Sequence, residues 1–502
     1  MGGIMFGQPV TAGQISEVID LMRSIGVDLQ RFEVKACRTQ LTKDIARTLS
    51  AFSNGSGGLV ICGLSERDGF TAVAGFDAKA IQDALARVCS EQLSPPVRPE
   101  IQVLPFEGGL LVVASVPEMR PMDKPCYVRA SNRYDGSYIR TGDGDRRLSA
   151  YEVDRLVDEH RQPQYDAAIV EEALPGDLNE ELVQGLLRRE RRIHARNFAL
   201  LPDEDALIKL GVLRIDNAGI LRPTIAGLVS LGDYPQQFFP RLNISFACYP
   251  GTSKSDVSDA GKRLLDSVTL VGPIPHIVED AIAAVARNTR SGALIEGAFR
   301  REVPDYPEVA LRKAIVNALM HRDYSSQSLG TPVQLDLYVD RLEIINPGGL
   351  FGNVTVSDLG RTGISSTRNQ HLANLLESTP YTDGTFVAEN RGTGYRTIEV
   401  ELANALMPAP IPRDTIGAFF LTFPRRRTTA SERTLPVRDQ MRAAIRSILE
   451  EHGSVTTTEV IRQTGRSRAT AMKYIRQMID EGILEPMEPV GSTKQRYRLS
   501  TT

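Results

Sequence analysis

The stretch RKAIVNALMHRDY, residues 312–324, constrains the fold of this chain more than any other segment. Residues four apart on an α-helix share a face, so a helix here aligns Lys313, Asn317 and His321. An Asn in that position can hold a magnesium ion on a nucleotide, or it can cap a neighbouring turn and have no further role. The segments that follow in the chain bear on this choice.

Two glycine-rich turns follow the helix. One ends the period-two hairpin expected for TPVQLDLYVDRLEIINPGG, residues 331–349, whose tight turn is Asp340-Arg341. The other, RGTGY at residues 391–395, leads into the helical pattern YRTIEVELANAL. Glycine before a helix lets backbone N–H groups approach a phosphate, which the helix dipole also favours. Taken alone, either turn is more often just a turn.

In this order, the stretches YPEVALRKAIVNALMHRDY, DRLEIINPGGLFGNVTV, TRNQHLANLL and ENRGTGYRTIEVEL resemble the Bergerat (GHKL) nucleotide site. They resemble more closely its divergent form in bacterial RecG-like ATP-binding proteins and transcriptional regulators. The resemblance implies ATP or ADP as ligand, with Asn317 holding the Mg²⁺ that bridges the phosphates. It also implies that residues 346–349 lie beside the adenine, residues 391–394 cradle phosphate, and Arg368 and Asn369 line the lid side. The residues assigned to the nucleotide in this way are Lys313, Asn317, His321, Asn346, Gly348, Gly349, Arg368, Asn369, Arg391, Gly392, Thr393 and Gly394.

Two departures from that family pattern concern hydrolysis and base recognition. Bergerat ATPases usually have a Glu four residues before the Asn, as general base on the attacking water, but this chain has Lys313. A lysine near its ordinary pKa of about 10.4 is protonated and cannot accept a proton, although it can place charge at the γ-phosphate. The adenine-reading Asp is replaced by Asn346, whose amide oxygen still accepts a hydrogen bond. We therefore expect binding with little turnover; the alternative is a degenerate pocket that binds nothing.

The stretches VDLQRFEVKACRTQ and LSAFSNGSGGLVICGLSERDG resemble the Schlafen AlbA-like domain, through an acid, Glu-x-Lys, an Ala-Phe-x-Asn turn and a Gly-Gly strand. Some Schlafens are divalent-metal RNA endonucleases that use three acids of this region. The resemblance then implies Asp28, Glu33 and one of Glu66 or Asp68 around Mg²⁺ or Mn²⁺, with Lys35 beside them. A role in nucleic-acid binding or assembly is the expectation we favour, and a surface ion pair of Glu33 with Lys35 is the simplest alternative.

The C-terminal stretches MRAAIRSILEEHG, SVTTTEVIRQTG, SRATAMKYIRQMIDEG and ILEPMEPVGSTKQRYRLS predict three helices and a β-wing, the winged helix-turn-helix pattern. Residues 411–502 carry 16 Lys and Arg against 10 Asp and Glu, although the whole chain has a net charge of −3. A basic end on an acidic body favours contact with nucleic acid. The residues expected to contact double-stranded DNA are Arg466, Ser467, Arg468, Thr470, Lys473, Tyr474, Arg476, Lys494, Arg496 and Arg498.

Composition limits the class of protein. The hydrophobic content of 41% and charged content of 24% are typical of a soluble globular chain. No apolar run approaches the roughly 18 residues that span a bilayer, and the N-terminus lacks the pattern of a signal peptide. The five Cys form no CxxC pair, which favours reduced thiols in the cytoplasm and argues against a structural zinc site.

A chain of 502 residues is too long for one ordinary domain, and the patterns predict an α/β (α+β) multidomain fold. The expected parts are 1–162 as Schlafen AlbA-like domain, 163–300 as a helical and α+β scaffold, 301–425 as GHKL-like α/β sandwich, 426–437 as linker and 438–502 as winged helix. Together they predict a cytoplasmic ATP- or ADP-sensing DNA-binding protein, a transcriptional regulator that would usually act as a dimer or higher homo-oligomer. The alternative function is a divalent-metal endonuclease of RNA (tRNA) or DNA, in phage defence.

Overall fold

The computed structural model describes most of the chain. The described residues are 4–142, 144–258, 260–289, 291–296, 299–361, 363–389, 392–425, 442, 445, 448–449, 454–464, 468–481, 483–488 and 495–499. They divide into two compact units, the first comprising Met1–Arg290 and Pro304–Arg425, the second Ser291–Val303 and Arg426–Thr502. The fold is mixed α/β and multidomain, as the sequence predicted. Within the described ranges, no helix is both long enough and apolar enough to cross a membrane.

The N-terminal part of the first unit is built on a mixed sheet. Its helices and strands are α1 (Ala12–Ile25), β1 (Phe32–Lys35), α2 (Ile45–Asn54), β2 (Gly58–Cys62), β3 (Leu64–Ser65), β4 (Thr71–Ala72), α3 (Ala78–Arg87), β5 (Leu93–Ser94), β6 (Glu100–Phe106), β7 (Gly109–Val116), β8 (Tyr127–Val128), α4 (Arg133–Gly136), β9 (Tyr138–Thr141), β10 (Gly144–Arg147) and α5 (Ala150–Asp158). The main sheet has the order β1-β2-β7-β6, with β1 and β2 parallel and the other neighbours antiparallel.

Helices cover both faces of this sheet because its strands are apolar on both sides. Successive residues of a strand point to opposite faces. In β2, Val60 and Cys62 belong to one apolar cluster, which contains residues of α2 and α3. Leu59 and Ile61 belong to a second cluster, which contains residues of α1. The unbroken apolar run of β2 is therefore that of a strand buried on both faces.

The rest of the first unit is built on a six-stranded sheet. The elements that follow α5 are α6 (Glu180–Ile193), α7 (Ala195–Phe198), α8 (Asp203–Lys209), β11 (Leu213–Ile215), β12 (Leu221–Pro223), α9 (Ile225–Leu231), β13 (Ile244–Cys248), β14 (Asp266–Leu270), α10 (Ile274–Asn288), β15 (Ser291–Glu296), β16 (Phe299–Pro304), α11 (Glu308–Met320), β17 (Val333–Leu337), β18 (Arg341–Pro347), α12 (Gln370–Leu376), α13 (Gly394–Asn404), β19 (Ile411–Asp414) and β20 (Ala418–Pro424). The sheet has the order β14-β13-β17-β18-β20-β19. Strands β15 and β16 pair with each other, and their residues 291–303 belong to the second unit.

The expected boundary at residue 300 does not separate two folding units. Strand β13, from the expected scaffold, pairs in parallel with β17, which lies beyond the boundary. Helix α10 packs on α11, and a single apolar cluster extends from Val170 to Phe423. The predicted scaffold therefore supplies strands and a core helix to the sheet that carries the glycine-rich turns.

The hairpin predicted around Asp340 is present, with its turn one residue earlier than expected. Strands β17 and β18 pair antiparallel, with Leu337 opposite Leu342. The N–H of Tyr338 donates to the carbonyl of Arg341 over 2.8 Å, so the central turn residues are Val339 and Asp340.

The second unit contains the C-terminal helices and wing strands. Its described elements after β20 are α14 (Thr457–Thr464), α15 (Arg468–Asp480), β21 (Leu484–Pro486) and β22 (Tyr497–Leu499). Strands β21 and β22 pair antiparallel. Ile475 and Met478 of α15 are buried with Val460 of α14 and Tyr497 of β22 in one apolar cluster. Ile445, a described residue of the first predicted helix, belongs to the same cluster.

Candidate functional site

A cavity of about 200 Å³ opens between α11, α13 and strands β18 and β20. The predicted helix face is part of its wall, because Lys313, Asn317 and His321 all line the cavity. Each step of four residues along a helix advances about 6 Å, so the three side chains form a row along one wall. The structure thus brings together the residues that the spacing of RKAIVNALMHRDY aligned. It adds apolar walls that no local pattern indicated: Ile344, Phe351, Ile364, Ile398, Phe419 and Leu421.

One end of the cavity is closed by the turn after β18. Asn346 lines the cavity and is only 5% exposed, yet within the described residues its Oδ1 has no hydrogen-bond partner. Gly348 has φ +94, and a Cβ there would lie 2.8 Å from Asp323 Cβ and collide with the Arg368 guanidinium. A Cβ at Gly349 would lie 2.6 Å from the carbonyl oxygen of Thr415. Glycine is therefore required at both positions by close approach. Asn346 lies at this end of the cavity as a buried polar group whose acceptor is unpaired among the described residues.

The start of α13 forms the wall opposite Asn317. The helix begins at Gly394, where a Cβ would lie 3.0 Å from Asn317 Nδ2. Gly392 and Thr393 line the cavity beside it, and Gly392 has φ +66. The amides at a helix N-terminus lack intrahelical partners and attract anions. Arg391, predicted as part of this turn, lies outside the described residues.

Lys313 and His321 differ in their electrostatic surroundings. Lys313 Nζ lies 3.4 Å from Glu389 Oε2, an ion pair between two residues of the cavity wall. Glu389 was not among the predicted residues, because a pair so distant in sequence leaves no local pattern. Burial, reinforced by the charge of Arg368, lowers the pKa of His321 to about 4. At neutral pH the cavity therefore contains a neutral imidazole and a lysine paired with a carboxylate.

Arg368 and Asn369 do not line this cavity, contrary to their predicted place on its lid side. The Arg368 guanidinium is buried, with Nη2 2.8 Å from Glu159 Oε1 and 3.1 Å from the carbonyl oxygen of Gly349. Asn369 Nδ2 donates to the carbonyls of Met320 and Arg322, at 2.9 and 2.7 Å. A buried guanidinium requires a carboxylate, and a carbonyl at a helix C-terminus requires a donor. Arg368 thus braces the turn after β18, and Asn369 braces the end of α11.

The N-terminal domain packs on that same end of the cavity. From α5, Arg155 Nη2 lies 2.5 Å from Asp323 Oδ2, and Glu159 pairs with Arg368. Asp323 in turn donates its N–H to the carbonyl of Pro347, over 2.9 Å. These contacts connect α5 to the turn that holds Asn346.

The predicted acidic metal site is not assembled. Glu33 Oε1 lies 2.6 Å from Lys35 Nζ and Glu33 Oε2 lies 2.5 Å from Arg140 Nη2, so both oxygens are committed to cations. Asp28 Oδ2 accepts the N–H of Val34. Burial raises the pKa of Asp28 to about 6, and the charges of Glu33 and Glu66 add to this effect. The other expected ligands are on an exposed 3₁₀ turn, where Asp68 accepts from Ser65.

Consistent with these contacts, the described residues contain no group of three or more His, Cys, Asp or Glu side chains able to hold a metal ion. The expectation of Mg²⁺ or Mn²⁺ at Asp28, Glu33 and Glu66 or Asp68 is therefore not met by their arrangement. The physical reason is that Lys35 and Arg140 occupy the positions around Glu33 where a cation would bind. Lys35 is shared with Asp44, at 2.8 Å, and is equally committed.

The residues predicted to contact DNA are described in part. Lys473 and Arg476 of α15 and Arg496 and Arg498 of the wing are exposed. Thr470 and Tyr474 are half-buried, and Tyr474 packs on the core of the second unit. Arg498 Nε donates to Glu485 Oε1 over 2.6 Å, and Arg496 donates to Ser454. The predicted residues whose positions or side chains lie outside the described part are Arg466, Ser467, Arg468 and Lys494.

Four family models match segments of this chain. Residues 28–149 match "Schlafen, AlbA_2", and residues 154–245 match a domain of unknown function, DUF8451. Residues 330–423 match "Putative ATP-dependent DNA helicase recG C-terminal", a match that begins after α11, and residues 438–485 match "Winged helix-turn-helix DNA-binding". The chain thus contains segments similar to a Schlafen-type domain, an ATPase-like domain and a winged helix, in the order that the predicted domain architecture has them.

Comparison with individual proteins adds two solved structures. One is the DIP2311 protein from Corynebacterium diphtheriae, with 16% identity over 97% of this chain and 98% of that one, at a TM-score of 0.39. The other is the N-terminal domain of a RecG-related protein from Nitrosomonas europaea, with 29% identity over 26% of this chain and 91% of that one, at a TM-score of 0.22. A search of curated proteins finds no significant match.

Proposed function

We propose that this protein is a nucleotide-sensing DNA-binding regulator whose ATPase-like domain binds ATP or ADP with Mg²⁺ and hydrolyses it little. The observation that carries the proposal is the buried, unpartnered Oδ1 of Asn346 at one end of an apolar cavity. An unpaired buried acceptor costs about 1–3 kcal/mol of stability, which a ligand donor such as the adenine amino group would recover. Phe351, Phe419 and the aliphatic residues around it supply a surface suited to a flat base.

The opposite end of the cavity suits phosphate and metal. The N-terminus of α13 meets Asn317 there, and a Cβ at Gly394 would obstruct this approach. Magnesium in nucleotide sites takes oxygen ligands from few protein groups and from the phosphates themselves, so the amide oxygen of Asn317 fits as its protein ligand. When bound, the metal would supply charge neutralisation of the phosphates, while α13 orients them through its first amides.

We expect weak hydrolysis because a lysine occupies the position, four residues before Asn317, where a general base is expected. Lys313 stands at that position, and its Nζ lies 3.4 Å from Glu389 Oε2. A protonated lysine does not accept the proton of an attacking water. The neutral imidazole of His321 lies eight residues along α11 from this end, about 12 Å away along the helix axis.

Calorimetry with ATP and MgCl₂ on the full chain tests the nucleotide half of the proposal. We expect saturable binding to the wild type, loss of at least about tenfold in affinity for Asn317→Ala, and no release of inorganic phosphate. Asn404→Ala changes an exposed Asn at the end of α13 and should bind as the wild type does. Absence of binding to the wild type contradicts the proposal, and rapid phosphate release contradicts the inactive role of Lys313.

The DNA half of the proposal is carried by the winged-helix match and by Lys473 and Arg476, which are exposed on α15. Binding to a mixed-sequence duplex should weaken steeply with salt, because phosphate contacts release counterions. Removing both cations should reduce the salt slope by about 2, whereas Lys79→Ala, on the N-terminal domain, should leave it unchanged.

The regulatory link between nucleotide and DNA predicts different DNA affinities with and without ATP; equal affinities would contradict it. Cleavage of tRNA or DNA in Mn²⁺ that Glu33→Gln abolishes would favour the nuclease instead.

A further inference from the structure

The row of Lys313, Asn317 and His321 on α11 runs along the cavity, and its two ends have different neighbours. Asp323, just beyond the C-terminal end of α11, donates its N–H to the carbonyl of Pro347 and packs beneath Gly348. This end of the helix therefore lies at the turn after β18, next to Asn346. Asn317 faces the start of α13 midway along the row. Lys313 lies a further turn away, about 6 Å beyond Asn317 along the axis. A nucleotide with its base at Asn346 and its inner phosphates at Asn317 would therefore place its outermost phosphate beside Lys313.

The position that this phosphate would take is next to a carboxylate of the chain. Glu389 Oε2 lies 3.4 Å from Lys313 Nζ, and both residues line the cavity. The Glu389 side chain is 67% exposed, whereas that of Lys313 is 23% exposed. An ion pair with one partner in solvent is weak, and its exposed member can leave at small cost. A terminal phosphate carries more charge than one carboxylate and offers three acceptor oxygens to the same ammonium group.

We infer that Lys313 and Glu389 make this pocket discriminate nucleoside triphosphate from diphosphate, with Glu389 as an internal competitor of the γ-phosphate. In the empty or diphosphate-bound pocket, Lys313 keeps its ion pair with Glu389. A γ-phosphate takes over Lys313 and displaces the Glu389 carboxylate, which it also repels. The inference rests on the proposed nucleotide binding and adds that the γ-phosphate is the part of the ligand that the protein senses.

Two substitutions then have opposite effects on the preference for ATP. Removing the competing charge in Glu389→Gln should raise the ratio of ATP to ADP affinity about threefold to tenfold, because ADP never competes with Glu389. Removing the ammonium group in Lys313→Met should lower this ratio about tenfold or more, through weaker ATP binding. Lys313→Arg keeps the charge and should retain the preference.

The chain offers a matched control on the same helix. Arg312 Nη2 pairs with Glu308 Oε1 over 2.7 Å, an exposed ion pair outside the cavity. Glu308→Gln removes a carboxylate from α11 just as Glu389→Gln removes one from the facing wall. If the effect of Glu389→Gln were a general change in charge or in helix stability, Glu308→Gln would reproduce it.

The experiment is calorimetric titration of the full chain with ATP, ADP and a non-hydrolysable ATP analogue, each with MgCl₂, for the wild type and the four variants. Melting temperatures verify that each variant is folded. Opposite shifts in the ATP-to-ADP ratio for Glu389→Gln and Lys313→Met, with none for Glu308→Gln, support the inference. Parallel changes in ATP and ADP affinity, or no change, overturn it while leaving the proposed function intact. Failure of the wild type to bind any of the three ligands overturns both.

Discussion

Two clusters of polar side chains in the first unit differ in how fully their hydrogen-bonding capacity is used. In the Schlafen-type domain, Glu33 is buried between Lys35 and Arg140, and each oxygen has a cation within 2.6 Å. In the ATPase-like domain, Asn346 is equally buried and its acceptor is unpaired within the described residues. Lys313, in the same cavity, has a mostly exposed partner.

This difference separates stabilising polar groups from groups available to a ligand. Buried charges that pair with each other hold the fold together, because any one of them would be costly to leave unpaired in the interior. A cavity with an unpaired acceptor carries a cost that a ligand can relieve. Of the acids that the Schlafen resemblance assigned to metal, Glu33 is thus part of the fold's own ion-pair network. The cavity beside α11 instead contains the acceptor of Asn346, which is unpaired in the described part of the chain. Substitutions in either cluster test this difference.

The largest effect is expected from opening the closed network. Glu33→Ala would leave Lys35 and Arg140 without the carboxylate that lies between them, although Asp44 and Asp145 still contact one cation each. Breaking a buried ion pair costs about 3–5 kcal/mol, so we expect the free energy of unfolding to fall by about 3 kcal/mol or more in urea denaturation.

The control for this experiment is Asp68→Ala, an exposed acid from the same predicted metal trio, which should change the unfolding free energy by less than about 0.5 kcal/mol. Equal stability of both variants would show that Glu33 is not part of a stabilising network.

A second prediction crowds the turn that holds Asn346. Gly348→Ala adds a Cβ at φ +94 against Asp323 and the Arg368 guanidinium, which should cost about 2–4 kcal/mol through backbone strain and overpacking. Gly384→Ala introduces a Cβ at φ +78 with no atom within 4 Å, so it should cost only the strain, about 1 kcal/mol. Chemical denaturation of both variants isolates the crowding. Equal losses would mean that Arg368 and Asp323 move away freely and do not define the turn.

What the sequence revealed of this site depended on how local each relation was. The row of Lys313, Asn317 and His321 follows from helical periodicity alone, and the winged helix follows from patterns within short segments. The Schlafen-type domain was expected from a family resemblance that short motifs carry. The Arg368 side chain had no such signal, because its partner Glu159 belongs to the N-terminal domain. The pairing of Lys313 with Glu389 was equally invisible.

The predicted boundary at residue 300 shows the same limit at the level of strands. A parallel pairing such as β13 with β17 joins segments separated by a long crossover, and no periodicity within either strand indicates its neighbour. The hairpin of β17 and β18 is local, and it was predicted to within one residue of its turn. Short-range geometry was therefore readable, whereas the arrangement of strands across the predicted boundary was not.

A third prediction concerns pH. Burial raises the pKa of Asp28 to about 6, above its value in the unfolded chain, so the folded state binds the extra proton between about pH 4 and pH 6. The unfolding free energy should therefore fall as pH rises through this window and level off above it. Asp28→Asn should remove that contribution, on the order of 1–2 kcal/mol, when urea unfolding is compared at pH 4.5 and pH 7.

The difference between wild type and variant isolates Asp28. Asp414, whose pKa burial also raises to about 6, contributes a slope of the same sign in both proteins and cancels. An identical pH profile for the two proteins would show that the Asp28 carboxyl titrates as in the unfolded chain. It would then be a solvated acid available to a cation, which would reopen the metal site.

The smallest change in stability is expected from replacing Asn346 by a residue of similar shape. Its sign is informative, because we expect a gain in stability rather than a loss. Asn346→Leu removes a buried acceptor without a partner, so the nucleotide-free protein should gain up to about 1 kcal/mol while its affinity for ATP falls about tenfold. Within the described residues Asn369 also has an unpaired Oδ1, but its Nδ2 donates to two carbonyls, so Asn369→Leu should lose about 2 kcal/mol. Thermal unfolding without ligand and calorimetry with ATP measure both quantities. If removing the Asn346 side chain stabilises the empty protein and weakens ATP binding, the residue is retained for its ligand. If Asn346→Leu instead lowered stability and left ATP affinity unchanged, Asn346 would be an ordinary structural residue of the sheet.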